Sequence, residues 1–153
     1  MIVTFNIPGK CEPKGSVSGF PIMRKNGKMG VVITHPKKVK AWQKIVSDAV
    51  AHHEPLSGPL GINLTFYLER PKTVTREYPE VKPDLDKLER AILDGLKPLI
   101  GNDSKVISLS STKIYAHDSF VPGVIGAVWE ITDQNKVYKL GQKEYNKWVD
   151  KHG

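Results

Sequence analysis

The stretch from Ile62 to Glu69 narrows the possible folds more than any other. Ile62, Leu64, Phe66 and Leu68 alternate strictly with Asn63, Thr65, Tyr67 and Glu69. A period of two places the two sets on opposite faces of a pleated strand, so the segment predicts a strand buried on one side. Such a strand needs an apolar layer to lie against, and two helical patterns supply it. Val39, Trp42, Val46, Ala49 and Val50 recur at helical spacing and predict an amphipathic helix over 36–53, with Thr34 as N-cap and Pro36 in the first turn. Trp42 is in phase with that stripe and reads as core. Leu85, Leu88, Ile92 and Leu96 mark a second helix over about 84–97, which Pro98 ends near a turn at Gly101.

The other elements are shorter. Ile2 to Ile7 predicts a strand closed by Pro8 and Gly9. Residues 9–30 read as a long basic loop in which Asn26-Gly27 marks a small hairpin, followed by an apolar run from Val31 to Ile33. Residues 70–83 are polar, contain Pro71, Pro79 and Pro83, and read as a loop. Two more strands are expected at 105–115 and 123–131, and a C-terminal helix at about 139–150 carries Leu140, Tyr145 and Trp148. The order β-(β)-α-β-α-β-β-α describes a single α+β domain over residues 1–153, with a mixed sheet flanked by helices.

Several classes of protein are excluded. A lone cysteine, Cys11, allows no intramolecular disulfide and no cysteine-based zinc site. No apolar run approaches the roughly 20 residues that cross a bilayer, and MIVTFNIPGK does not read as a secretory signal. A cytoplasmic setting is expected. There is no Gly-rich phosphate loop, so no nucleotide cofactor is expected, and the histidines show no metal-binding spacing.

The charge is unevenly placed. The chain carries a net +7. Nine basic residues lie between Lys10 and Lys44, among them Lys14, Arg24, Lys25, Lys37 and Lys38, against one acid, Glu12. Clustered cations attract polyanions and release their counterions, which points to nucleic acid; a merely solvated basic face has the same composition.

The stretch with chemical content starts at Pro83. Asp84 and Asp86 stand where a loop becomes a helix, and two carboxylates spaced i, i+2 can converge there. Asp103 follows the next turn. Three aspartates from two adjacent segments could hold a hard cation such as magnesium, which takes oxygen ligands and shares its remaining positions with water and phosphate. A plainer reading exists for each. Asp84 or Asp86 could be an N-cap, Asp86 with Glu89 a capping box, and Asp103 a turn residue.

This stretch resembles the RusA family of Holliday-junction resolvases. The matching residues are Pro83-Asp84-Leu85-Asp86, Ala91, Asp94, Leu96 and Asp103-Ser104-Lys105-Val106, with Lys113 in the following strand. Pro13-Lys14-Gly15, Thr34-His35-Pro36 and Trp42 extend the likeness more weakly toward the N-terminus. The resemblance implies a homodimeric, magnesium-dependent endonuclease, with manganese as a substitute ion, that nicks opposite strands of a four-way DNA junction. It implies Asp84, Asp86 and Asp103 as metal ligands, and a bacterial or phage origin. Arg90 stands where the family has a lysine; it can clamp a phosphate but cannot give up a proton. Lys113 lies on an otherwise apolar strand face and calls for an anionic partner, either the carboxylates or the scissile phosphate. Lys14, Arg24, Lys25, Lys37 and Lys38, with Arg70, Lys72 and Arg76 of the 70–83 loop, would hold DNA phosphates. Lys87 and Asn102 depart from the family pattern at an asparagine and an aspartate. They motivate an alternative, a catalytically weak or inactive junction-binding protein of the same fold.

Overall fold

Strand β4 (Leu60–Leu68) forms the centre of the molecule. Leu60, Ile62, Leu64 and Phe66 are fully buried, as the alternation requires. Each such side chain contributes about 1.5–3 kcal/mol by leaving water. The structure, a computed structural model, describes residues 1–15, 18–34, 37–117, 121–135 and 146–152.

β4 lies between β6 (Gly123–Glu130), antiparallel to it, and β5 (Val106–Tyr115), parallel to it. β1 (Ile2–Pro8) pairs antiparallel with the far side of β6, so the sheet order is β1-β6-β4-β5. The α+β class with a mixed sheet is therefore as expected. A separate hairpin joins β2 (Ser18–Met23) to β3 (Met29–Thr34). Its turn has Gly27 at φ 76° with the Arg24 amide on the Lys28 carbonyl, so the Asn26-Gly27 signal is correct while the paired arms reach well beyond a small hairpin.

Two helices pack on the sheet. α1 (Lys37–Val50) buries Val39, Trp42, Val46 and Val50. α2 (Leu85–Gly95) buries Leu88, Ala91 and Ile92. They cross at Gly95, where a Cβ would stand 2.8 Å from Val46 Cβ and 3.1 Å from the Gln43 carbonyl oxygen. Only glycine permits that approach.

Pro98 does not simply stop α2. It sits in the first turn of a short α3 (Lys97–Ile100), where its missing N–H costs nothing. A 3-10 turn, Asp103–Lys105, then leads into β5. Pro36, and with it the junction between Thr34 and α1, lies outside the described residues. So does most of the expected C-terminal helix, of which 146–152 is helical.

Candidate active site

The head of α2 is built by three attachments. Asp84 is its N-cap residue in extended conformation, yet its side chain makes no capping bond. The Lys87 ammonium pairs with it at 3.3 Å. Asp86 follows in the first turn. Glu89 does not close a capping box; it accepts a hydrogen bond from Ser111 Oγ at 2.7 Å across to β5. Asp84 and Asp86 are both exposed at the positive end of a helix dipole, a position that favours negative charge. Arg90 is exposed one turn further on and forms no ion pair with Asp86 among the described residues.

Lys113 is placed differently from its expected role. Its ammonium donates to the backbone carbonyls of Val81 at 2.7 Å and Pro83 at 2.9 Å. Its strand position called for an anionic partner; here the ammonium meets two neutral backbone carbonyls instead, and β5 holds the peptide that leads into Asp84. Lys14 secures the other flank. Its amide donates to the Lys87 carbonyl at 2.9 Å, and its ammonium pairs with Asp94, which also receives Gln43 Nε2 at 3.4 Å. Lys97 adds a looser contact to Asp94 at 3.8 Å. Lys14, expected on DNA phosphates, is therefore committed to α2.

Asp103 is not part of this group. β5 lies parallel to β4, and α2 is the crossover between them, so α2 runs back against β5. Lys113 marks the end of β5 beside Pro83. At the other end, Lys105 Nζ reaches the Leu56 carbonyl at 2.9 Å and the Leu56 amide bonds Leu99 at 2.8 Å, beside α3. Val106 and Lys113 are seven strand steps apart, about 23 Å at the usual rise. Within one chain the three aspartates do not converge, and no group of three or more histidine, cysteine, aspartate or glutamate side chains is placed for a metal ion among the described residues. Asn102 has a local task there: its side chain accepts from the Ser104 amide at 3.0 Å and caps the 3-10 turn.

Three basic residues, Lys10, Arg76 and Lys82, line a cleft. A hollow of about 670 Å³ runs between residues 9–11 and the 70–83 loop, with Tyr67, Val81 and Tyr115 in its wall. Lys82 and Pro83 also wall a second hollow of about 330 Å³ that includes Asp84 and Lys87. Arg76 Nε donates to the Tyr115 hydroxyl at 2.9 Å, and Arg70 donates to the Arg76 carbonyl at 3.2 Å, so the loop is internally braced. Lys72 is exposed on the same loop. Lys37 and Lys38 open α1, and Arg24 and Lys25 lie in the hairpin turn; all four are exposed.

Sequence reading missed Glu89–Ser111. The available signal was that Ser111 lies two residues before Lys113, on the strand face turned to α2. Cys11 is also part of the cleft wall, and burial pushes its thiol up to about 12, which disfavours the reactive thiolate.

The family model of endodeoxyribonuclease RusA matches residues 12–124. The chain belongs to the RusA endodeoxyribonuclease family. The match takes in α1, β4, α2 and β5, and with them Asp84, Asp86, Arg90, Asp103 and Lys113. The chain is also similar to the Bacillus subtilis (strain 168) protein called "Uncharacterized protein YqaN", at 28% identity over 133 residues, 76% of this chain and 87% of that protein. As in the sequence, no helix among the described residues of this RusA-family chain is long and apolar enough to cross a membrane.

Proposed function

We propose that this protein is a magnesium-dependent endonuclease that resolves four-way DNA junctions by paired nicks, acting as a homodimer. The observation that carries this reading is the head of α2. Two exposed carboxylates, Asp84 and Asp86, stand there without being used as caps, held by anchors on both flanks.

Their chemistry fits a hard cation, since both offer carboxylate oxygens and neither is neutralised by burial. Magnesium bound there supplies a polarised water and charge stabilisation for in-line displacement at phosphorus. Asp84 and Asp86 hold and orient the ion. Arg90 faces the same side one turn along and clamps a non-bridging phosphate oxygen; it transfers no proton. Lys113 acts through backbone, as a positioning residue. Lys37, Lys38, Arg24, Lys25, Arg70, Lys72 and Arg76 supply the phosphate contacts that set the DNA in place without reading sequence.

The test is nicking of a synthetic four-way junction with and without magnesium, with linear duplex as control and Asp86→Asn alongside. Paired nicks confined to the junction, dependent on the ion and absent from the variant, support the reading. Nicking that survives Asp86→Asn overturns the site assignment.

One observation favours a second reading. The Lys87 ammonium lies 3.3 Å from Asp84 and competes with a cation for it. A junction-binding protein with weak or no nuclease activity would bind the same substrate without nicks, and Lys87→Asn would then raise its response to magnesium.

A further inference from the structure

We propose that the β2–β3 hairpin is a DNA wedge. Met23 and Met29 insert against the base pairs that frame the branch point, and Arg24, Lys25 and Lys28 hold the flanking phosphates. The inference rests on the reading of branched DNA as the substrate. It adds a device that holds the branch open, a task the carboxylates do not perform.

The hairpin stands off the body of the chain. β2 and β3 pack on each other, and among the described residues neither makes more than slight contact with the four-stranded sheet or the helices. Met23 lies directly opposite Met29, and Pro21 directly opposite Val31. Residues two apart on a strand share a face, so these four side chains form one continuous apolar face of the ribbon. That face is open to solvent: Met23 is 67%, Met29 63% and Val31 64% exposed. A contiguous apolar patch of this kind marks an interaction surface. Ile22 and Gly30 lie on the opposite face, where a Cβ at Gly30 would collide with the Arg24 guanidinium. The glycine lets Arg24 lie across the back of the ribbon and leaves the methionine face clear.

Charge decides what covers this face. No acid occurs between Glu12 and Asp48, and Arg24, Lys25 and Lys28 surround the tip of the hairpin. An apolar protein surface, or a second copy of this basic ribbon, leaves those cations without partners, whereas a polyanion pairs them. DNA carries phosphates outside and apolar base faces within its stack, and the faces are bare where stacking is interrupted, as at a branch point. Methionine suits such a face: apolar wedges of this type insert between base steps, and the thioether is flexible and polarisable. A two-stranded ribbon also has a width that the major groove admits. The root of the hairpin lies beside the candidate active site. The Lys14 amide donates to the Lys87 carbonyl of α2, and β2 opens at Ser18, four residues and at most about 14 Å of chain later. Wedge and carboxylates therefore meet the same part of the DNA.

The test binds the protein, without metal, to a four-way junction carrying 2-aminopurine at the branch point. Wild type should raise the 2-aminopurine emission there and leave a probe placed within an arm unchanged. Met23→Ser combined with Met29→Ser should lose most of the rise, while affinity for linear duplex stays within about twofold because the phosphate contacts are kept. Met23→Leu combined with Met29→Leu should retain the rise, since both side chains remain apolar. A serine variant that gives the full rise, or a wild type that binds the junction and gives none, overturns the wedge and leaves the junction reading standing. A wild type that binds the junction no better than duplex sinks the junction reading, and the wedge with it. Sedimentation of the DNA-free proteins judges the other occupant. A lower mass for the serine variant makes this face a contact between copies and overturns the proposal, and an unchanged mass supports DNA.

Discussion

The ammonium of Lys113 lies 2.9 Å from the carbonyl oxygen of Pro83, the residue immediately before Asp84. Lys113 thereby holds the α2 head through backbone, without touching a carboxylate itself. Lys113→Met keeps the apolar stem and removes both hydrogen bonds. Stability should fall by about 1–2 kcal/mol in urea unfolding. Mn2+ affinity should weaken while junction affinity without metal stays within about twofold, because the ammonium is already engaged by two backbone carbonyls. A loss of metal-free junction affinity instead would return Lys113 to the DNA.

Asp84→Asn and Asp86→Asn should each abolish metal-dependent nicking. Both groups are exposed, Asp84 makes no capping bond, and its ion pair with Lys87 is solvent-screened. Thermal unfolding should therefore report changes of no more than about 0.5 kcal/mol. Loss of activity with loss of fold would mean that these carboxylates are structural.

The basic residues divide into two groups by what they touch. Lys14→Ala removes a cation from Asp94 and should destabilise the fold by about 1 kcal/mol, leaving the salt dependence of DNA binding unchanged. Lys37→Ala with Lys38→Ala should leave stability alone and flatten the slope of log K against log salt by about 2. Fluorescence anisotropy across a salt series beside urea unfolding separates the two behaviours.

The α1–α2 crossing is intolerant of a methyl group. Gly95→Ala places a Cβ 2.8 Å from Val46 Cβ and should cost about 1–3 kcal/mol despite the better helix propensity of alanine. Gly95→Ala combined with Val46→Ala should recover part of that loss in the same unfolding assay.

Cys11 gives the fold a dependence on alkaline pH. Burial raises its thiol from 9.0 to about 12, so the neutral form is favoured only in the folded chain. That contribution is complete below pH 9 and declines as pH rises toward 12, because the unfolded thiol ionises first. The difference in unfolding midpoint between the wild type and Cys11→Ala should shrink across this window. A thiol reagent at pH 8 should react at the unfolding rate.

Much of the scaffold could be read from periodicity. Ile62, Leu64 and Phe66 are the core of β4, and the stripes headed by Val39 and Leu85 are α1 and α2. The β2–β3 arms were obscured by Gly19, Pro21 and Gly30, residues that weaken any strand signal. In the site, Asp84 and Asp86 were legible because one helix start fixes both. Asp103 stands apart from them within the chain, because the crossover reverses direction and closeness along the chain does not carry over into space. Lys113 announced a partner through its apolar neighbours but not which one, since a backbone carbonyl leaves no mark in a sequence.

The sheet order also bears on how the molecule is made. Among the described residues β1 pairs with β6 alone, from Ile2 opposite Trp129 to Pro8 opposite Gly123, more than a hundred residues later in the chain. β6 is also the neighbour that covers one side of β4. Until Gly123–Glu130 has been synthesised, β1 waits alone and the central strand is bare on that side. Unpaired strand edges of this kind send incomplete chains to aggregation or proteolysis. Completion of β6 is therefore the step that closes both β1 and β4, and a chain cut short before Gly123 should be less soluble and more readily digested than one that reaches Glu130.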